Sequence, residues 1–278
     1  MHKTPKDIIA KKTAGKKISV VTAYDYSLAL LCDRAGVDVL LVGDSGGMVM
    51  LGYENTIPVT MTQMKIFTEA VSRARQNALV VGDLPFMSYQ ANISDAIKNS
   101  GKLIKAGADA VKLEGGIEMA KTIKAIVDTG IPVMGHIGLQ PQTTMLSEGY
   151  RVQGKTKDSA VQLIESAKAL EEAGVFSIAL EMVTSEVAKI ISDSISVPTI
   201  GIGSGSGCDG QVLVIHDMLG MYDKIEPKFV KKYLSLSDEI TKAVEQYRKD
   251  VESGVFPGEQ HSFSMEKSEL DKLREEIG

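Results

Sequence analysis

The chain is poor in the residues that mark several common protein classes. It holds two cysteines in 278 residues, Cys32 and Cys208, far apart and in no metal-binding or redox spacing. That excludes a disulfide framework and points to a reducing, cytoplasmic setting. Cys32, in an apolar helical context, reads as a small core residue; the role of Cys208, in a glycine-rich loop, stays open. No apolar run approaches the ~20 residues that a membrane helix needs. The opening MHKTPKDIIAKKTAGKK carries charge but no apolar core and no small-residue cleavage site of a secretion signal. An excess of positive charge is lacking too. A formal net charge of −5 supports neither nucleic acid nor an anionic membrane as partner. No linker or low-complexity stretch divides the chain, and hydrophobic residues at 44% are ample for a packed core.

What the sequence does contain is a succession of short Val- and Ile-rich runs, at residues 18–24, 37–44, 78–83, 109–115, 131–138, 176–182, 197–203 and 211–217. Near-continuous apolar runs suit parallel strands covered on both faces. Between them lie segments of helical period. SDAIKNSGKLIKAGA sets Ala96, Leu103 and Ile104 on one side, and DSAVQLIESAKALEEAGV offers Asp158 or Ser159 as N-cap and Gly174 just past the end. RAGVDV, KAGADA, DTGIPV and EAGVFS share one order: helix, glycine stop, strand. Eight such units predict a single-domain α/β protein, a (β/α)₈ TIM barrel, with a doubly wound open sheet as the alternative. Beyond Asp217, amphipathic helices up to about residue 263 are expected to close the barrel, and residues 264–278 read as a polar C-terminal extension.

Four of the runs deliver an acid at their carboxyl end: Asp44 in LLVGDS, Asp83 in VVGDLP, Glu114 in VKLEGG and Glu181 in IALEM. In a barrel of this kind those ends share the face that holds active sites. One such acid alone is an ordinary helix cap. Four together repel one another and call for a hard cation, and an all-oxygen donor set favours Mg²⁺ over Zn²⁺. Gly43, Gly82 and Gly115 beside them are expected to let a ligand approach the backbone. Lys112 lies two residues before Glu114, so both side chains point into the barrel. Lys112 either holds an acidic substrate or pairs with Glu114. Ser45 either donates to a substrate carboxylate or caps a helix. His136 closes the fifth run and is a substrate-binding candidate; alone it would read as a satisfied core histidine. His216 and Asp217 in the eighth run carry a weaker signal. GIGSGSGCDG, after the seventh run, reads as a ligand-cradling loop or a plain turn, and it lacks the Lys-Ser/Thr ending of a P-loop.

At these residues the chain resembles the ketopantoate hydroxymethyltransferase family. The matching stretches include TAYDYS, LLVGDS, TIPVTM, DLPFMSY, AGADAVKLEGG, PVMGHIGLQPQ, GYRVQGK, LEMV and DGQVLVIHD, in order over roughly residues 4 to 263. Gly46 departs from the leucine more often found in that family's motif, and residues 264–278 match nothing recognised in it. The resemblance implies Mg²⁺ held by Asp44, Asp83 and Glu114. It implies substrate contacts from Asp44, Ser45, Asp83 and Lys112, and Glu181 as catalytic base. It further implies methylene-tetrahydrofolate as one-carbon donor, α-ketoisovalerate as acceptor, and a cytoplasmic homodecamer. Gly203, Ser204 and Gly205 are expected to touch the folate. The competing expectation is a Mg²⁺-dependent 2-oxo acid lyase or mutase of the isocitrate-lyase type, although a KKCGH loop is absent.

Overall fold

The computed structural model describes residues 2–143, 151–222 and 227–278. Part of the GYRVQGK motif therefore lies outside the described residues. Eight parallel strands close a barrel in sequence order, and the first pairs with the last. They are β1 Ile18–Thr22, β2 Val39–Val42, β3 Leu79–Asp83, β4 Ala110–Glu114, β5 Val133–Gly138, β6 Ser177–Glu181, β7 Thr199–Ile202 and β8 Gly210–Leu213. The helices are α1 Pro5–Thr13, α2 Tyr26–Arg34, α3 Gly46–Val49, α4 Met61–Ala74, α5 Ile93–Lys105, α6 Ala120–Asp128, α7 Lys157–Glu172, α8 Ser185–Ser194, α9 Ile215–Met218, α10 Leu236–Ser253 and α11 Lys267–Ile277.

Several expectations need correction. The eighth strand stops at Leu213, and Ile215, His216 and Asp217 belong to α9; the run stays apolar because Ile215 is buried. α7 is capped by Thr156, not by Asp158 or Ser159. Thr156 Oγ1 accepts from the Ser159 amide at 3.2 Å, and Ser159 Oγ accepts from the Thr156 amide at 3.1 Å. No helix joins β7 to β8. Residues 203–209 turn straight back to the start of β8, and Cys208 packs over Gly201 in place of a helix: a Cβ on Gly201 would come within 2.9 Å of its sulfur. α10 forms in the predicted region, yet none of its residues is buried, so in the single chain it does not close the barrel. Residues 264–278 carry α11, which also buries nothing.

Alternation along the strands divides the core in two. Val39, Leu41, Leu79, Val81, Ala110, Met134, Ile200 and Val212 fill the barrel, while Leu40, Val42, Val80, Val111, Ile178 and Leu180 face the helices. The same parity, carried two residues on, aims Asp83, Lys112, Glu114 and His136 into the barrel mouth. Register sets Asp83 beside Lys112 and Glu114 beside His136.

A second set of acids lies at the opposite end. Asp38, Asp109 and Asp209 each precede a strand and accept a backbone N–H from the strand before: Ser19 at 2.9 Å, Val80 at 2.9 Å and Thr199 at 2.8 Å. Each is also paired with a cation, Asp38 with Lys11, Asp109 with Arg75 and Asp209 with Lys12. Two of those cations, Lys11 and Lys12, come from α1, which lies across the barrel floor with Ile8 fully buried in the inner core.

Candidate active site

At the carboxyl end of the strands the barrel opens into a cavity of about 1130 Å³. Asp44, Asp83, Lys112, Glu114, His136 and Glu181 all line it, as does Ser45. β3, β4, β5 and β6 carry five of these residues on inward positions. Asp44 and Ser45 follow β2, whose next inward position is Gly43. A Cβ there would lie 2.7 Å from Ser45 Oγ and 3.6 Å from Asp83 Oδ2, so glycine is what admits both groups to this corner. Gly82 and Gly115 play a different part from the one expected. Gly82 faces Leu103 and Thr68 in the helix layer, and Gly115, at φ +134, turns the chain against Met119.

The polar groups are interlocked. Lys112 Nζ donates to Asp83 Oδ1 at 2.7 Å, so its partner is Asp83 and not Glu114. Asp83 Oδ2 accepts from the Asp44 amide at 3.2 Å. Asp44 Oδ2 accepts from Gln142 Nε2 at 2.7 Å, and Glu114 Oε2 accepts from the Gln142 amide at 3.1 Å. Ser45 precedes α3 without capping it; its hydroxyl lies 2.8 Å from that of Tyr24. Both ring nitrogens of His136 are buried without a hydrogen-bond partner among the described residues. Its Nε2 stands 3.1 Å from Glu181 Oε2 and its Nδ1 3.6 Å from Glu114 Oε1, within ion-pair reach but poorly aligned for hydrogen bonds.

Burial first, and the neighbouring Asp83 second, push the Asp44 carboxyl up to about 7. Glu114 is raised well above the usual range by burial and by Asp44. Burial alone would lower Lys112, but Asp83, Asp44 and Glu114 outweigh it and hold the ammonium charged. Carboxylates under this much mutual repulsion fit a divalent cation, and oxygen donors suit a hard one. Among the described residues no three His, Cys, Asp or Glu side chains stand in a ready-made ligand array; Lys112 and Gln142 hold Asp83 and Asp44 instead.

The glycine-rich stretch is less available than expected. Gly203 and Gly205 line the cavity, but Ser204 does not. Its buried hydroxyl donates to the Leu180 carbonyl at 2.7 Å and accepts from the Val183 amide at 3.0 Å, tying β6 to β7. Gln142, Tyr24 and Tyr89 were not foreseen as site residues. Tyr89 donates to Gln142 Oε1 at 2.8 Å and accepts from the Glu114 amide at 3.2 Å. The signals were present in the sequence, in GLQPQ, TAYDYS and DLPFMSY, but nothing local connects those stretches to the acids.

Solved structures of low identity share the fold. Phosphonopyruvate hydrolase in complex with oxalate and Mg²⁺ aligns with a TM-score of 0.61 at 12% identity, over 99% of this chain and 96% of that one. 2,3-Dimethylmalate lyase aligns with a TM-score of 0.59 at 14% identity over both whole chains. Curated relatives are far nearer in sequence. A protein of Nitrosopumilus maritimus (strain SCM1), named 3-methyl-2-oxobutanoate hydroxymethyltransferase, is 73% identical over 278 residues, the whole of both chains. Residues 264–278 therefore have a counterpart there. One of the same name from Cenarchaeum symbiosum (strain A) is 60% identical over 93% of this chain and 98% of its own. The family profile of ketopantoate hydroxymethyltransferase matches residues 2–259. Over its barrel and its cavity alike, the chain belongs to the ketopantoate hydroxymethyltransferase family.

Proposed function

We propose that this enzyme transfers a hydroxymethyl group from methylene-tetrahydrofolate to C3 of 3-methyl-2-oxobutanoate, giving ketopantoate for pantothenate and coenzyme A synthesis. The observation that carries this reading concerns Glu181. Its neighbours are each engaged: Asp83 by Lys112, Asp44 by Gln142, and Glu114 by the Gln142 amide. Among the described residues the side chain of Glu181 pairs with His136 alone, and it is 18% exposed against 4% for Asp83 and 3% for Glu114. It is the strand-end carboxylate placed to take a proton from a ligand in the cavity.

Each residue then has a role in its own chemistry. Lys112 and Ser45 hold the substrate's carboxylate and keto oxygens, with Tyr24 fixing the Ser45 hydroxyl. Glu181 removes the C3 proton, a step to which a positioned base contributes about 10²–10⁴-fold. His136, between Glu114 and Glu181, keeps the base turned towards C3. Asp44 and Asp83, with Glu114, would hold Mg²⁺, which when bound supplies Lewis-acid polarisation of the keto carbonyl. Water adds to the methylene carbon of the folate, whose two C–N bonds break to release tetrahydrofolate and formaldehyde. The enolate carbon C3 attacks the formaldehyde carbon, and the proton held by Glu181 goes to its oxygen, which becomes the new hydroxyl.

The setting is proposed to be cytoplasmic and the assembly a homo-oligomer, a decamer by family resemblance. The apolar face of α10 supports an oligomer: Ile240, Val244, Tyr247 and Val251 recur at helical spacing and are 45%, 60%, 58% and 46% exposed. Light scattering of the full chain tests this, and a monomeric mass overturns it.

The reaction is tested by NMR of C3 proton exchange of 3-methyl-2-oxobutanoate in D₂O without folate. The expected result is exchange that needs Mg²⁺ and falls at least ~10²-fold in Glu181→Gln. Equal exchange by the variant would remove Glu181 as the base.

A further inference from the structure

Among the described residues five carboxylates line the cavity, and four of them, Asp44, Asp83, Glu114 and Glu181, stand on the β2 to β6 side. The fifth, Asp217, belongs to α9, beyond β8, and the proposed chemistry does not use it. Its place is fixed by the backbone. The Ile215 amide at the start of α9 donates to Thr22 Oγ1 at 3.0 Å, and the Gly220 amide closes the turn on the Asp217 carbonyl at 3.1 Å. The charged groups that act on it or feel it are Lys232, which stabilises its anion, and the Tyr24 hydroxyl, which it disfavours as phenolate. Burial pushes the acid up to about 6, so it is mostly ionised at neutral pH.

The cavity that Asp217 lines is apolar over much of its wall and includes aromatic rings. Tyr222, Phe229 and Val214 line the same space, and Phe229 lies against Gly203, where a Cβ would come within 2.8 Å of the ring. A cavity of about 1130 Å³ is far larger than a branched 2-oxo acid requires. The spare volume, a half-buried carboxylate on the side away from the acid cluster, and aromatic rings in the wall together describe a receptor for a flat heterocycle with two adjacent N–H donors.

Resting on the reaction proposed above, we infer that Asp217 binds the pyrimidine edge of the reduced pterin, pairing with its N3–H and 2-amino group. Those two donors point the same way and match the two oxygens of one carboxylate, as a guanidinium does. Asp217 is thus a binding residue for the one-carbon donor, opposite the acids that handle the keto acid.

The test is calorimetric titration of the full chain, with Mg²⁺ and 3-methyl-2-oxobutanoate present, by tetrahydrofolate and by its 2-desamino-2-methyl analogue. Wild type is expected to bind tetrahydrofolate about 10- to 100-fold more tightly than the analogue. Asp217→Asn should bind tetrahydrofolate weaker by a similar factor and lose the discrimination. Its loss on the folate side should exceed any loss in C3 exchange by roughly tenfold, which a general collapse of the site would not produce. Equal wild-type affinity for the two ligands overturns the inference without recourse to any variant. Retained discrimination in Asp217→Asn overturns it as well. Wild type that exchanges the C3 proton yet binds neither ligand would instead remove folate as the donor, and the inference with it.

Discussion

Gln142 and Asp44 stand 98 positions apart in sequence and meet at 2.7 Å in the buried floor of the cavity. The same amide nitrogen of Gln142 also donates to the Leu84 carbonyl at 3.0 Å, while its oxygen accepts from Tyr89. One side chain therefore satisfies three buried groups drawn from the loops after β2 and β3.

Gln142→Ala should lower stability by about 1–3 kcal/mol, because it leaves those groups without partners. It should also lower kcat/KM through a looser Asp44. Gln142→Glu keeps the shape but sets a carboxylate against Asp44, and its activity should fall below that of the alanine variant. Chemical denaturation and steady-state kinetics on the pair check both points; a glutamate variant as active as wild type would show that Gln142 does not govern Asp44.

Lys112 is the cation that makes the buried acids tolerable. Lys112→Met removes it and leaves Asp83 and Asp44 uncompensated, at an expected cost of about 3–5 kcal/mol. The double variant Lys112→Met/Asp83→Asn should recover part of that loss, since the charge left behind goes too. A double-mutant cycle by urea denaturation reads the coupling. Strict additivity of the two substitutions would mean that the 2.7 Å contact carries no coupling energy.

The floor of the barrel predicts how stability depends on acid. Asp33 accepts from the amides of Gln76, Asn77 and Ala78 at 3.1, 2.9 and 2.7 Å. Burial alone would raise Asp33 and Asp38, but these donors, and for Asp38 the Lys11 ammonium and Ser19, outweigh it and hold both below 3.8. The unfolded chain binds these protons at higher pH than the folded one. Their contribution is therefore complete above about pH 4 and is lost as pH falls through the lowered folded values. Asp33→Ala should cost about 2–4 kcal/mol at pH 7 and flatten the acid limb of the stability curve. Unfolding midpoints at pH 7, 5 and 3 check this, and an unchanged slope below pH 4 would contradict it.

Much of the barrel was legible because parallel strands covered on both faces must be apolar throughout, and Val39–Val42 or Leu79–Asp83 cannot easily be anything else. The acids at the mouth were legible because Asp83, Glu114 and Glu181 interrupt that rule at the same end of each strand. Other features depend on contacts distant in sequence. GIGSGSGCDG looks like a ligand loop, yet its glycines and Ser204 serve a turn so tight that no helix fits between β7 and β8. α9 continues the apolar pattern of β8 because Ile215 is buried, so nothing local marks the break. Asp38 and Asp209 resemble ordinary turn residues until α1 brings lysines to them. Gln142 joins the acids only once the barrel has closed.

The crossing of α1 over the floor has a consequence for the order of events in folding. Lys12 reaches the carbonyls of Ser192 and Val197, 180 and 185 residues ahead, and pairs with Asp209. The ring joins β1 to β8 only after the last strand has left the ribosome. α1 is thus made before the partners of Lys12, and its contacts are complete only when β8 is in place. Such long-range closure makes folding slow. It also makes α1, whose Lys12 waits for partners some 180 residues on, a segment that a chaperone would have reason to hold.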